Sequence, residues 1–421
     1  MGGRPGRRGP PAGQSGDRGG PQRRSERRPG RGHLAAARPG RPVPRVRLRD
    51  GRGGRARRGR AVRGPGTRPG RPGPAAGGDR RHRQGQGRAA GRGPGELALR
   101  DHRRRPGGQV EGTGPMTLSG RDAYRDELTR LAGSDGSILC LEADLGGKGH
   151  PFQKAHPDRF FNLGIAEATM VDMAAGLAVA GFRPFVSTFA PFAALRAAES
   201  LKLTLGYLGA GVTVVAPYAG VSGAWFGTTH HCLEDLAVLR SIPGVTIAAP
   251  YGEQEMRAVI RAAARSGRPH YIRTGRGAAY DSLPFDGDDR PPVQWQTGPD
   301  PAKVCLVSVG EEGTRLSLEA RAARPAADHA HLCYLDHEGL RAAAAELARR
   351  HSRFVVVEEH RAEGGIAEAL ALLLPGRTVT GVNAGHGWPS EGGDHHQVMG
   401  GLGLDLPAVL AALDDHLSDG V

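Results

Sequence analysis

Two α/β domains built on parallel sheets, preceded by a tail with no fold of its own, are what the sequence predicts. Three observations carry the prediction. From residue 137 to 273 short apolar runs alternate with helix-length segments, the order that gives a parallel sheet covered on both faces. Between 277 and 302 that alternation lapses into Pro, Asp and Gly, then resumes towards the C-terminus. The first 115 residues contain no Phe, Trp or Tyr, so they have little with which to build a core. The expected boundaries are a tail over 1–115, a first domain over 116–277, a linker over 278–302 and a smaller domain over 303–421.

The elements follow in order. Ala123, Tyr124, Leu128 and Leu131 have helical spacing, and Ser137 to Asp144 reads as a buried strand running into the loop Gly146-Gly147-Lys148-Gly149. Phe160 and Phe161 close a second strand, and Ile165 to Val179 is a helix of small residues stopped by Gly181. Strands are expected at 184–189, 212–216, 246–249 and 270–273, with helices at 190–205, 233–240 and 253–265. The second domain offers strands at 304–309, 331–335 and 354–357 and helices at 340–350 and 366–374. The run from Leu203 to Leu233 has no Asp, Glu, Lys or Arg, yet its Pro217 and six glycines fit a buried strand and loop, not a membrane span.

Charge divides the chain as sharply as hydrophobicity does. Residues 1–115 hold 31 Arg, no Lys and seven acids, a balance of 31 − 7 = +24. The remainder therefore has 58 − 31 = 27 bases and 43 − 7 = 36 acids, or −9. Three readings of the tail stay open: an Arg/Gly-rich arm attracted to phosphates, an inert solvated extension, or a segment outside the mature protein, with the chain of ordinary composition starting at Met116. Cys140, Cys232, Cys305 and Cys333 are far apart, which argues against a disulfide framework or a zinc site. The start of the chain lacks a signal-peptide core, and a cytoplasmic location is expected.

Candidate site residues cluster at the ends of the expected strands: Asp144, Glu167, Phe189, the loop from Tyr218 to His230, and Arg273. In open parallel sheets ligands gather there. Each alone has an ordinary structural reading as a cap, a core ring or a surface ion pair. Glu167 stands out because Ile165 and Ala166 precede it and Met170, Val171, Met173 and Ala174 follow, so its carboxylate loses hydration unless a partner or a task holds it. Histidines at 230–231, 386 and 395–396 have no third ligand at fixed spacing, and no metal site is expected on this chain. Residues 358–360 have two open readings, a capped strand end or a contact between domains.

Several stretches together resemble the pyrimidine-binding domain of transketolases, thiamine-diphosphate enzymes. They are Arg159-Phe-Phe-Asn-Leu-Gly-Ile-Ala-Glu167, Ala174-Ala-Gly-Leu177, Pro184-Phe-Val-Ser-Thr-Phe189, Phe192, Thr229-His230, Glu234-Asp-Leu-Ala237 and Arg240. Glu358-Glu-His360 followed by Gly364-Gly365 is similar, less specifically, to the C-terminal domain of that family. The resemblance implies that Glu167 hydrogen-bonds the cofactor's aminopyrimidine nitrogen and that Phe189 and Phe192 stack against the ring. It further implies that Asp144 lines the same pocket, that His230 serves substrate oxygens and catalysis, and that Arg273 pairs with a substrate phosphate or carboxylate. The family binds the diphosphate through Mg²⁺ on a separate N-terminal domain with a Gly-Asp-Gly motif. Residues 1–115 hold no such motif, so the resemblance implies a separate N-terminal transketolase-like subunit carrying Mg²⁺, in a hetero-oligomer with two copies of each chain.

Departures from the pattern bear on the substrate. Ala168 stands where the family usually has Gln after Ile-Ala-Glu, and Tyr218 and Phe226 stand where it has a His and an Asp that hold the donor sugar. Aromatic groups there remove hydrogen bonds to sugar hydroxyls, so a sugar- or ketose-like donor other than an ordinary pentose or hexose phosphate is expected. Two alternatives remain: the beta subunit of a 2-oxo acid dehydrogenase E1 or a deoxyxylulose-phosphate-synthase-like enzyme, and an Arg/Gly-tailed nucleic-acid-binding protein with a degenerate enzyme body.

Overall fold

A computed structural model describes residues 117–145, 147, 149–281, 283–284, 291–298, 302–389 and 392–418. The tail expected to be disordered, with Met116, lies outside them. Helix α1 (Gly120–Ser134) opens the described chain, its N-terminus capped by the Ser119 hydroxyl, which accepts from the Asp122 N–H at 3.2 Å. Strands β1 (Ile138–Glu142) and β2 (Phe160–Asn162) follow, with the short α2 (Pro151–Ala155) between them. Next come α3 (Glu167–Val179), β3 (Arg183–Ser187), the short α4 (Ala198–Leu201), β4 (Thr213–Ala216), α5 (Asp235–Arg240), β5 (Thr246–Ala248), α6 (Gly252–Ser266) and β6 (His270–Arg273).

The six strands form one wholly parallel sheet in the order β2-β1-β3-β4-β6-β5. The chain leaves β1 for β2 on one side and then returns to build β3 and β4 on the other. The carboxyl ends of β1 and β3 therefore flank a crevice where the strand order reverses, which is the ligand position of open α/β sheets. Helix α3 turns Met170, Val171 and Ala174 onto this sheet, where they join Leu141 and Val186 in one core. Its other face carries no such cover: Met173 and Val179 are exposed, the latter 83%.

The stretch expected as one helix over 190–205 is broken. Residues Phe192–Arg196 and Lys202–Tyr207 form π-helical turns on either side of α4, seen in the i→i+5 bonds Ala197 N–H to Phe192 O and Leu208 N–H to Leu203 O. Such turns recur at functional sites.

The second sheet has the order β11-β10-β8-β9-β7. It comprises β7 (Gln294–Gln296), β8 (Val304–Val309), β9 (Ala327–Leu332), β10 (Arg353–Glu358) and β11 (Thr378–Val382), with α7 (Gly310–Ala323), α8 (His337–Arg350), α9 (Ile366–Leu373), α10 (His395–Gly401) and α11 (Leu406–Ser418). Its strands are parallel except β7, which pairs antiparallel with β9. Strand β7 corrects the expected linker over 278–302. Trp295 docks against the core and donates to Glu346 at 2.5 Å, which draws a short piece of that segment into the sheet edge.

Backbone bonds join the two sheets' domains. Ala249 N–H donates to Cys333 O at 2.8 Å and Leu335 N–H to Ile247 O at 2.9 Å, around an isolated bridge between Ala248 and Tyr334. Among the described residues no single helix is long and apolar enough to cross a membrane.

Candidate active site

Glu167 is the first residue of α3 and is 3% exposed. A carboxylate in the first turn of a helix is favoured by the unpaired N–H groups there. Its Oε1 accepts from the Arg196 guanidinium at 2.8 Å. Arg196 in turn lies over the Phe192 ring, 4.1 Å from its centroid. The carboxylate expected to need a partner thus has one, contributed by the first π-helical turn.

A continuous group of rings extends from there. Phe189 stacks with Phe192 at 5.8 Å and lies 3.9 Å from Tyr218 between centroids. His230 packs against Phe192 at 5.3 Å and stacks on Phe226 at 4.6 Å. Trp225 meets Tyr218 and Phe226, and the guanidinium of Arg276 sits over Trp225 at 3.7 Å while donating to the Tyr218 hydroxyl at 3.1 Å. Tyr218 adopts φ +65°, a left-handed conformation costly for a tyrosine, of the kind that marks functional loops. Burial, and secondarily the Arg196 charge, hold the His230 imidazole below its ordinary pKa. It is therefore neutral at physiological pH, with Nδ1 2.9 Å from the Thr229 hydroxyl.

Asp144 lies at the carboxyl end of β1 on the same edge, exposed and with φ +59°. Its N–H donates to Asn162 Oδ1 at 3.2 Å, and among the described residues its carboxylate has no hydrogen-bond or ion-pair partner.

Arg273 is elsewhere engaged, which corrects its expected role as an anion receptor. It is buried, its Nε 3.0 Å from Asp235 Oδ2, and its Nη2 donates to the Glu359 carbonyl at 3.2 Å. A guanidinium committed to a carboxylate and a carbonyl inside the protein has no free fork for a substrate. Arg276, three residues on, is the exposed one, and among the described residues it has no acidic partner. Only its place in the Gly-flanked Thr274-Gly-Arg-Gly277 turn could have signalled it from sequence; for Arg196, four residues after Phe192, helical spacing is the only signal.

The 358–360 segment resolves as a contact between domains. Glu358 caps α9 by accepting from Ile366 N–H at 2.6 Å, while Glu359 Oε1 accepts from Val221 N–H at 2.8 Å. Gly220, at φ +62°, lets that carboxylate approach: a Cβ there would fall 2.1 Å from the Glu359 carboxyl carbon. His395 Nε2 lies 2.7 Å from Glu359 Oε1. Burial disfavours its charge, but Glu359 and then Glu312 and Glu311 outweigh that and raise its pKa to about 8. The native state therefore holds this proton where an unfolded histidine has lost it, so its stabilisation is complete below about pH 6.5 and lost as pH rises through about 8. The thermal midpoint of His395→Ala should fall less than that of the wild type between those pH values, measured by circular dichroism; parallel slopes would contradict the assignment.

Comparison with known proteins decides the family. Residues 116–281 match the family model described as transketolase, pyrimidine binding domain. One of the two chains of the apulose-4-phosphate transketolase of Phocaeicola vulgatus is 30% identical over 306 residues, covering 69% of this chain and 94% of that one. The chain belongs to the transketolase family. A solved split-gene transketolase, described as an inactive beta4 tetramer, matches this transketolase-family chain with TM-score 0.62 and 31% identity, over 72% of this chain and 99% of that one. The 1-deoxy-D-xylulose-5-phosphate synthase 1 of Geobacter sulfurreducens is 30% identical over 334 residues, which is 74% of this chain but only 50% of that relative. This transketolase-family chain thus spans nearly all of the split subunits and about half of the longer synthase.

Proposed function

We propose that the chain is one subunit of a two-subunit, thiamine-diphosphate-dependent transketolase-type enzyme that transfers a two-carbon ketol unit. The observation that carries this reading is Glu167, a buried carboxylate at a helix start with the Phe192 ring beside it. Together they offer a hydrogen-bond acceptor and a stacking face to one planar, donor-bearing group, and the Arg196 guanidinium shows that such a group fits between them. An aminopyrimidine has the same character. Thiamine diphosphate, when bound, supplies the electron sink for breaking a bond beside a ketone.

This chain's residues do the rest. Glu167 accepts from the pyrimidine ring nitrogen and holds that proton away from water, because little solvent reaches it. Phe189 and Phe192 cover the ring and exclude water. Asp144 lines the rim at the end of β1. Neutral His230 donates from one nitrogen and accepts at the other, serving substrate oxygens as they gain or lose protons. Tyr218 and Phe226 narrow the remaining space with rings in place of hydrogen-bonding groups, so the ketose-like donor is not an ordinary sugar phosphate. Arg276 faces its anionic end.

The diphosphate and Mg²⁺ belong, on this reading, to an N-terminal transketolase-like subunit, in an assembly with two copies of each chain. The outer face near Glu167 supports a partner: Ile165, Val179, Leu195, Leu203, Tyr207 and Leu208 are all exposed, Tyr207 at 84%. The test is reconstitution. Chain and partner together should consume a ketose while either alone does not; robust turnover by this chain alone would overturn the split assignment, and 2-oxo acid decarboxylation in place of ketol transfer would move it to the E1 or deoxyxylulose-phosphate-synthase type.

A further inference from the structure

Arg196 touches the two groups assigned above to the cofactor's pyrimidine, and it touches both at once. Its Nη1 is 2.8 Å from Glu167 Oε1, and its guanidinium carbon is 4.1 Å from the centre of the Phe192 ring. A guanidinium is flat, carries N–H donors along its edge and stacks on aromatic faces. It therefore meets a buried carboxylate and a ring in the way an aminopyrimidine would. The arginine and the cofactor ring cannot both hold Glu167 and the same face of Phe192.

We propose that Arg196 is a positioning residue that fills the pyrimidine's place in the isolated chain and leaves it when the cofactor binds. This inference rests on the thiamine reading of Glu167. The two partners differ in the way the proposal needs. The Arg196 side chain is 48% exposed and has a path into solvent, whereas the Glu167 side chain is 3% exposed and has none. The arginine is the mobile partner and the carboxylate the fixed one. Its seat on a π-helical turn adds to this, because the widened turn aims Arg196 over Phe192. The arrangement also has a use: a buried carboxylate left unpaired is costly, and Arg196 keeps it paired until a ligand takes over.

Thiamine lacking the diphosphate is the probe, because its binding needs only this half of the site. Titrated calorimetrically into the full chain, it should bind Arg196→Ala at least about tenfold more tightly than wild type. Methylguanidinium, which replaces the missing group, should compete and return the variant to wild-type affinity. Adding Glu167→Gln to Arg196→Ala should remove the gain. Should Arg196→Ala fail to fold, Arg196→Gln, which also lacks the charge, should show the same gain. Equal or weaker binding by the arginine variant, no binding at all, or a gain that methylguanidinium leaves untouched overturns the proposal. Its failure is separable from failure of the thiamine reading, since the effect of Glu167→Gln on turnover of the reconstituted pair tests that reading alone.

Discussion

Glu167→Gln in the reconstituted enzyme should lower turnover by about 10²–10⁴-fold, the range that a positioned acid–base group contributes. Glutamine keeps the shape of the side chain but cannot share a proton with a ring nitrogen as a carboxylate does. The fold should be unaffected. The lost ion pair reaches a half-exposed arginine, and pairs of that kind are worth only about 0–1 kcal/mol. Turnover and the thermal midpoint should therefore separate: the first collapses while the second moves by a few degrees at most. Turnover within a few-fold of wild type would remove Glu167 from the mechanism.

Arg273→Met should give the reverse pattern. Removing this guanidinium leaves Asp235 buried with its charge unpaired, and breaking a buried pair in that way costs about 3–5 kcal/mol. The thermal midpoint should drop by on the order of 10 °C in a body of this size. Tyr271 still donates to Asp235 at 3.1 Å, which softens the loss without neutralising the charge. Combining Arg273→Met with Asp235→Leu should recover most of the midpoint, since a buried pair replaced on both sides is often nearly neutral. An unchanged midpoint together with weakened substrate binding would restore Arg273 as an anion receptor.

These two residues also show which parts of the molecule are legible in the sequence. Glu167 can be read because its signal is local: a carboxylate opening a small-residue helix, beside a short strand, within a recognisable motif. Phe189, Phe192 and His230 follow the same logic and come together as expected. Arg273 escapes such a reading because Asp235 and Glu359, which engage it, are remote in sequence and belong to other elements. The strands β1, β3, β4, β6, β8 and β10 are nearly continuous apolar runs buried on both faces, and they stand out. Helix α7 does not, because it opens on Gly310-Glu-Glu-Gly313, which reads as a loop. Strand β11 is half exposed with Gly381 inside it, so neither periodicity nor composition marks it. The π-helical turns around α4 have no sequence signature distinct from that of an ordinary helix.

The backbone bonds between Ala249 and Cys333 and between Leu335 and Ile247 bear on how the site is reached. Many two-domain enzymes open and shut by flexing at a connecting segment. Here main-chain groups of one domain complete those of the other, so bending at that seam would strand buried donors and acceptors. The two domains move as one body. Whatever admits a ligand to Glu167 must then be the rotation of a side chain or the departure of a neighbouring chain.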